Sequence, residues 1–271
     1  MSTVNSLQIV EFLYNVYQYN SYELRYNSMM NDEQFIREEM LLGKENLEKL
    51  HNSHVAVFGL GGVGSWCTEA LARAGVGALT LIDSDECSVT NINRQSEALW
   101  STVGRPKAEV MAERVRAISP ECRVNPVYGL YDAEHRSDFF PEEGERYTFV
   151  ADCIDLVSCK LDLIETCRSY GIPMISALGT GNKKDAQQLR IADISETYGD
   201  ALARVMRKEM RKRGMEHHPV IFSPEEPLPC EQKEAPPPGR RSVPGSLVWV
   251  TASAGFLMAQ YIILNITGGN P

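Results

Sequence analysis

The chain has 271 residues, enough for one large α/β domain or two small ones with a sizeable core. Hydrophobic residues make up 43% and charged residues 23%, which excludes disordered, collagen-like and low-complexity classes for the chain as a whole. Lys+Arg is 27 against Asp+Glu 36, a net charge of −9, so nucleic-acid binding over the whole surface does not fit, while a local basic patch does.

Residues 1–30 are rich in Tyr and Asn, show no period, and read as an extension outside the main fold. No Lys or Arg precedes Arg25 and polar residues interrupt the apolar ones, so a signal peptide is not expected. The spacing of Phe35, Leu41, Leu42, Leu47 and Leu50 predicts one helix over Phe35–Leu50. His54–Phe58 is a short apolar strand running into Gly59, and a helix is expected over Val63–Ala74. Ala78–Asp83 is the next strand, and Lys107–Ile118 a helix placed after Pro106. Arg123–Val127 and Tyr147–Cys153 read as strands, Leu161–Tyr170 as a helix, Pro173–Ala177 as a strand. Strands alternating with helices imply a Rossmann-like, doubly wound, mostly parallel sheet.

The second half is irregular and carries extra strands and helices. Gln188–Ile194 reads as a strand, Ala201–Arg213 as a basic helix and Val220–Phe222 as a short strand. Ser223–Arg241 is crowded with Pro and acids and reads as a mobile loop. From Ser242 to Pro271 no residue is charged. A short strand and a buried helix near Val250–Leu264 are expected there, in the core or at a subunit interface. Polar residues recurring through the stretch argue against a membrane span, the alternative reading. The 7 cysteines include no C-x-x-C pair, which fits buried thiols in a reducing cytoplasm better than disulfides or a paired zinc site.

Gly59-Leu60-Gly61-Gly62-Val63-Gly64 fits G-x-G-x-x-G, with a strand before it and a helix after it. Such glycines let backbone N–H groups approach phosphate, and the helix N-terminus adds favourable partial charge. Asp83 ends the second strand, where a carboxylate meets ribose hydroxyls. Arg94 and Lys107 follow near the open end of the sheet, where both side chains are expected to be solvent-accessible. A dinucleotide does not require two such cations; a triphosphate losing pyrophosphate does. Asp155, after the apolar strand ending in Asp152, is placed to hold Mg²⁺ opposite the phosphates.

These residues together resemble the E1-like activating-enzyme superfamily over roughly residues 34–265. The resemblance rests on the glycine loop, Asp83 with Asp85, Asn91, Asn93-Arg94-Gln95, Lys107 and Asp155, in order. It implies one ATP-binding domain over 31–271, with 182–245 as an insert on the substrate side. It implies ATP bound by Gly59, Gly61, Gly62, Gly64, Asp83, Asp85, Asn91 and Gln95, with Arg94 and Lys107 on the β- and γ-phosphates. Asp155 would orient Mg²⁺. Arg37 looks like the arginine that family homodimers insert into the partner's site.

Sulfur-carrier activators of this superfamily usually have two CxxC pairs, and this chain has none. What remains looks like the tRNA threonylcarbamoyladenosine dehydratase branch, which uses ATP to cyclise the threonylcarbamoyl group on adenosine 37 of tRNA. No enzyme cysteine is required; Cys153 and Cys230 read as a buried and a loop thiol. The basic helix holds Arg204, Arg207, Lys208, Arg211, Lys212 and Arg213 against Glu209. Lys183, Lys184, Arg240 and Arg241 could extend it into an RNA-binding patch. Two other readings stay open: activation of a small sulfur-carrier protein, with a carrier or sulfur-relay protein as partner, and a NAD-dependent oxidoreductase.

Overall fold

The computed structural model describes residues 33–140, 146–233 and 243–269. The expected extension over 1–30 and the end of the Pro-rich loop, residues 234–241 with Arg240 and Arg241, lie outside the described residues. The chain divides into two compact units, Met1–Glu45 and Asn46–Pro271. The first contains α1 (Ile36–Leu42), which ends where Gly43 adopts φ +80° and ψ 156°. That backbone is closed to L side chains, so the single helix expected over Phe35–Leu50 becomes two, α1 and α2 (Lys44–His51).

The second unit is built on one seven-stranded sheet in the order β3-β2-β1-β4-β5-β7-β6. Its strands are β1 (His54–Phe58), β2 (Ala78–Asp83), β3 (Arg123–Tyr128), β4 (Phe149–Asp152), β5 (Met174–Ala177), β6 (Arg190–Asp193) and β7 (Pro219–Phe222). All neighbours pair in parallel except β6 with β7. β4 and β5 are buried throughout, and β1 is buried except at His54, as parallel strands covered on both faces require.

The helices α3 (Gly64–Arg73), α4 (Lys107–Ile118), α5 (Arg136–Phe139), α6 (Val157–Tyr170), α7 (Ala201–Lys212) and α8 (Val248–Thr267) flank this sheet. Phe58, Phe139, Phe140, Val150, Leu163, Ile164, Met206, Met210 and Phe222 form one continuous core. Within it lie two polar pairs. Lys160 Nζ meets Asp152 Oδ2 at 2.8 Å, both side chains fully buried. The Ser176 hydroxyl and His218 Nε2 are 2.8 Å apart.

Strand order reverses between β1 and β4, where open α/β sheets place ligands. Register aligns the strand ends: Phe58 lies opposite both Ile82 and Asp152. Gly59, Asp83 and Cys153 therefore leave the sheet at one edge.

The doubly wound sheet is as expected, with three differences. α6 starts at Val157, one turn before the expected Leu161. No strand precedes the last helix: 243–247 have no regular structure, because their polar groups bond to the site loops described below. Finally, α8 runs over 20 residues rather than the central stretch alone. By length and composition it could cross a membrane, but half of that window is buried inside the protein.

Candidate nucleotide site

The glycine loop is held from three sides. Gly59 takes φ +88°, and a Cβ there would stand 2.7 Å from the Cys153 carbonyl oxygen. The Gly59 N–H donates to Ile82 O at 2.8 Å, and Cys153 N–H to Phe58 O at 2.8 Å. At Gly64 a Cβ would fall 1.8 Å from Gly59 O. The loop thus folds back on itself only because both positions lack a side chain. α8 closes the third side: a Cβ on Gly62 would touch Thr251 at 3.1 Å, and one on Gly255 would meet Val63 O at 2.5 Å.

Asp83 fastens the loop to β2. Its Oδ2 accepts the Leu60 N–H at 2.6 Å and its Oδ1 the Asp85 N–H at 2.8 Å. Burial pushes this carboxyl's pKa up, and Lys107 with the two amides works against that. Lys107 is 4% exposed, which corrects the expectation of a solvent-accessible cation. Pro106 precedes α4, and Lys107 in its first turn places its Nζ 2.9 Å from Asp85 Oδ2, just beyond the end of β2. Burial pulls its pKa down, but Asp83, Asp85 and Glu97 outweigh that and hold it raised. Lys107 is therefore a charged ammonium in a partly desolvated pocket, where its charge acts strongly.

The 91–98 segment covers the loop. Asn91 is buried and turned inward, its Oδ1 accepting the Ser88 N–H at 3.0 Å. Gln95 is also buried, its Nε2 lying 3.8 Å from the Cβ position of Gly61. Gln95 Oε1 has no hydrogen-bond partner among the described residues. Arg94 is half-buried; its Nη1 donates to Thr90 O at 2.7 Å and Asn93 Oδ1 at 2.9 Å. The Trp66 indole N–H donates to Arg94 O at 2.9 Å, tying this segment to α3. Asp155 is exposed, two residues beyond Cys153 in the turn between β4 and α6. The glycine loop, Asp83, Asp85, Gln95 and Lys107 thus come together, with Asp155 on the facing turn. Arg37 is exposed on α1, in the other unit.

Sequence reasoning singled out Asn93 but missed the bonds that hold this edge. Asn93 Nδ2 donates to Ser246 O at 3.0 Å. Asn182, at φ +58°, donates its N–H to Gly245 O at 2.8 Å and accepts the Gly245 N–H on Oδ1 at 2.6 Å. Gly245 and Ser246 are thereby drawn to the site. Lys183 is buried rather than part of a basic patch; its Nζ bonds Ser223 O at 3.0 Å and lies 3.8 Å from Asp200 Oδ2. Burial raises the Cys153 thiol's pKa well above its ordinary value, so it is not a thiolate nucleophile. Cys230 is exposed.

A glycine loop between strand and helix, a carboxylate at the end of β2 and a buried lysine beside it define a nucleotide-binding α/β protein with a site for phosphate. The chain belongs to the ThiF family, which matches residues 35–271. It is 41% identical over 242 residues to the tRNA threonylcarbamoyladenosine dehydratase of Bacillus subtilis, covering 86% of this chain and 94% of that one. It is 43% identical over 171 residues to the Escherichia coli protein of that name, 63% of each chain. The crystal structure of E. coli tRNA N6-threonylcarbamoyladenosine dehydratase, TcdA, in complex with ATP superposes with a TM-score of 0.77 at 36% identity, covering 87% of this chain and 94% of that one.

Proposed function

We propose that the chain is an ATP-dependent tRNA threonylcarbamoyladenosine dehydratase. The observation that carries this reading is Lys107, a buried ammonium group just beyond the end of β2, in a chain 41% identical to a dehydratase over 242 residues. The free carboxylate of the tRNA modification attacks the α-phosphorus of ATP. A C–O–P bond forms, the Pα–O–Pβ bond breaks and pyrophosphate leaves. A nucleophile tethered on the same group then attacks the acyl carbon, closing a ring and expelling AMP, with net loss of one water. Lys107 and Arg94 take the charge that develops on the leaving pyrophosphate. Tethering supplies proximity, so no enzyme nucleophile is needed.

Mg²⁺ takes only one or two protein carboxylates beside nucleotide phosphates, and the exposed Asp155 at the strand end fits that demand. Bound there, the ion would neutralise phosphate charge.

The RNA lies along α7. Its cations are not equivalent. Arg207 Nη1 donates to Thr197 O at 2.6 Å, Lys212 pairs with Glu209 at 2.7 Å, and Arg213 with Glu165 at 3.3 Å. Arg204, Lys208 and Arg211 are exposed at i, i+4 and i+7, one strip on the helix face. A strip of this kind follows a phosphate backbone without reading sequence.

The enzyme works as a homodimer in the cytoplasm. The support for the dimer is α8, uncharged throughout, with Phe256 49% exposed against Trp66 of α3 and Trp249 52% exposed near Lys184. In such a dimer Arg37 completes the partner's site. Nucleoside mass spectrometry of tRNA from a deletion strain tests the reading: the cyclic modification should disappear, leaving the open form. Retention of the ring would refute it. Loss of a sulfur-containing product instead would favour the carrier-activating alternative.

A further inference from the structure

Glu97 lies in the turn behind Arg94 and Gln95 and is 1% exposed. Two helices enclose the turn. The Ser96 N–H donates to Ser65 Oγ of α3 at 3.2 Å, and Ser96 Oγ faces Met111 Sδ of α4 at 3.8 Å. No well-formed hydrogen bond reaches either carboxylate oxygen of Glu97 among the described residues, and only its own N–H and the Ser65 hydroxyl lie close enough to favour the ionised form. The groups facing it are Lys107 from α4, Asp83 at the end of β2, Cys87 from the following loop, and Ser65 from α3. Lys107 in turn faces Asp83, Asp85 and Glu97. An ionised carboxylate buried with so few donors is costly, and burial, against the small opposing effect of its own N–H and the Ser65 hydroxyl, pushes the Glu97 pKa up to about 7. Lys107 pulls against that shift, while Asp83 adds to it.

The nucleotide reading gives none of this a role. We propose that Glu97 is a positioning residue that acts through Lys107, governing how readily the ammonium group leaves its carboxylates for the phosphates of ATP. The inference rests on Lys107 as the phosphate-binding cation. Ionised, Glu97 adds a negative charge that holds Lys107 and opposes incoming phosphate. Protonated, it releases the lysine. Bringing phosphate into the site raises the Glu97 pKa further, so ATP binding takes up a proton near neutrality. Affinity is therefore highest at low pH and falls as pH rises through the unliganded value of about 7.

Calorimetric titration of the full chain with Mg²⁺–ATP, in two buffers of different ionisation enthalpy, tests this. Wild-type affinity should fall between about pH 6 and about pH 8.5, roughly tenfold if ATP moves the pKa by one unit. Glu97→Gln should hold its low-pH affinity throughout and lose the Glu97 share of proton uptake. Glu97→Asp should restore the pH dependence. The γ-phosphate titrates alike with all variants, so the difference isolates Glu97. Glu97→Met, also neutral, covers the case in which Glu97→Gln does not fold. A Gln or Met variant that keeps the wild-type pH profile overturns the inference and leaves the nucleotide reading standing. A wild type that binds no ATP at any pH overturns both.

Discussion

Lys107 and Asp85 meet across the start of α4, Nζ to Oδ2 at 2.9 Å, with the lysine side chain 6% exposed and the carboxylate 69% exposed. The Lys107 N–H also donates to Asp85 O at 3.0 Å, so the two residues are tied by backbone as well as charge. Asp85 thus occupies the direction from which phosphate oxygens approach the ammonium group. Replacing Lys107 by Ala should lower the rate of ATP-dependent turnover by about 10²–10³-fold, the loss typical of one charge-stabilising donor. Steady-state kinetics check this, with circular dichroism to show that the fold remains. A loss below tenfold would mean that the phosphates lie elsewhere.

Gly255 couples α8 to the glycine loop. A methyl group there stands 2.5 Å from Val63 O and 2.9 Å from Cys67 N, both backbone atoms that cannot turn aside. Gly255→Ala should push the helix off the loop, destabilise the fold by about 1–3 kcal/mol and weaken ATP binding. Denaturant unfolding and nucleotide titration measure the two effects. An unchanged unfolding midpoint would contradict the close packing.

On α7 the triple change Arg204→Glu, Lys208→Glu and Arg211→Glu should weaken tRNA binding strongly and leave ATP binding near wild type. If all three cations contact phosphates, the slope of log affinity against log salt should shrink by about 2–3. Arg207→Ala should act on stability rather than on RNA, because its guanidinium is spent on Thr197. An unaltered salt slope in the triple variant would place the RNA on another face.

His218 sets the response to acid. Burial, reinforced by Lys160 and Arg168, lowers its pKa from 6.5 to about 3. The folded pKa lies below the unfolded one, so this neutral histidine contributes stability above about pH 6.5, which is lost as pH falls toward about 3. Thermal unfolding of His218→Gln should show a shallower decline over that window. Equal slopes for both proteins would show that the imidazole is charged in the folded state.

Much of this architecture was legible because it depends on local pattern. The apolar run His54–Phe58 ending in glycines, and Asp83 at the end of the next strand, announce a β-loop-α nucleotide site by themselves. What escaped depends on residues far apart in the chain. The Asn93–Ser246 bond spans 153 positions, and no local signal marks it. Lys160 looks like an ordinary helix cation until Asp152 is found beside it in the core. Lys107 was legible as a cation but not as a buried one, since its burial depends on tertiary packing around the start of α4 that no local pattern marks. Glu97 carried no local signal: Leu99 and Trp100 after it are exposed, and its burial depends on α3 and α4 closing around it.

The most direct test supplies the purified chain with ATP, Mg²⁺ and tRNA carrying the open threonylcarbamoyl group, then digests the tRNA for mass spectrometry while AMP and pyrophosphate are counted. The nucleoside should lose one water, with one AMP and one pyrophosphate formed for each ring closed. An unchanged nucleoside under conditions in which the protein binds ATP would contradict the dehydratase assignment.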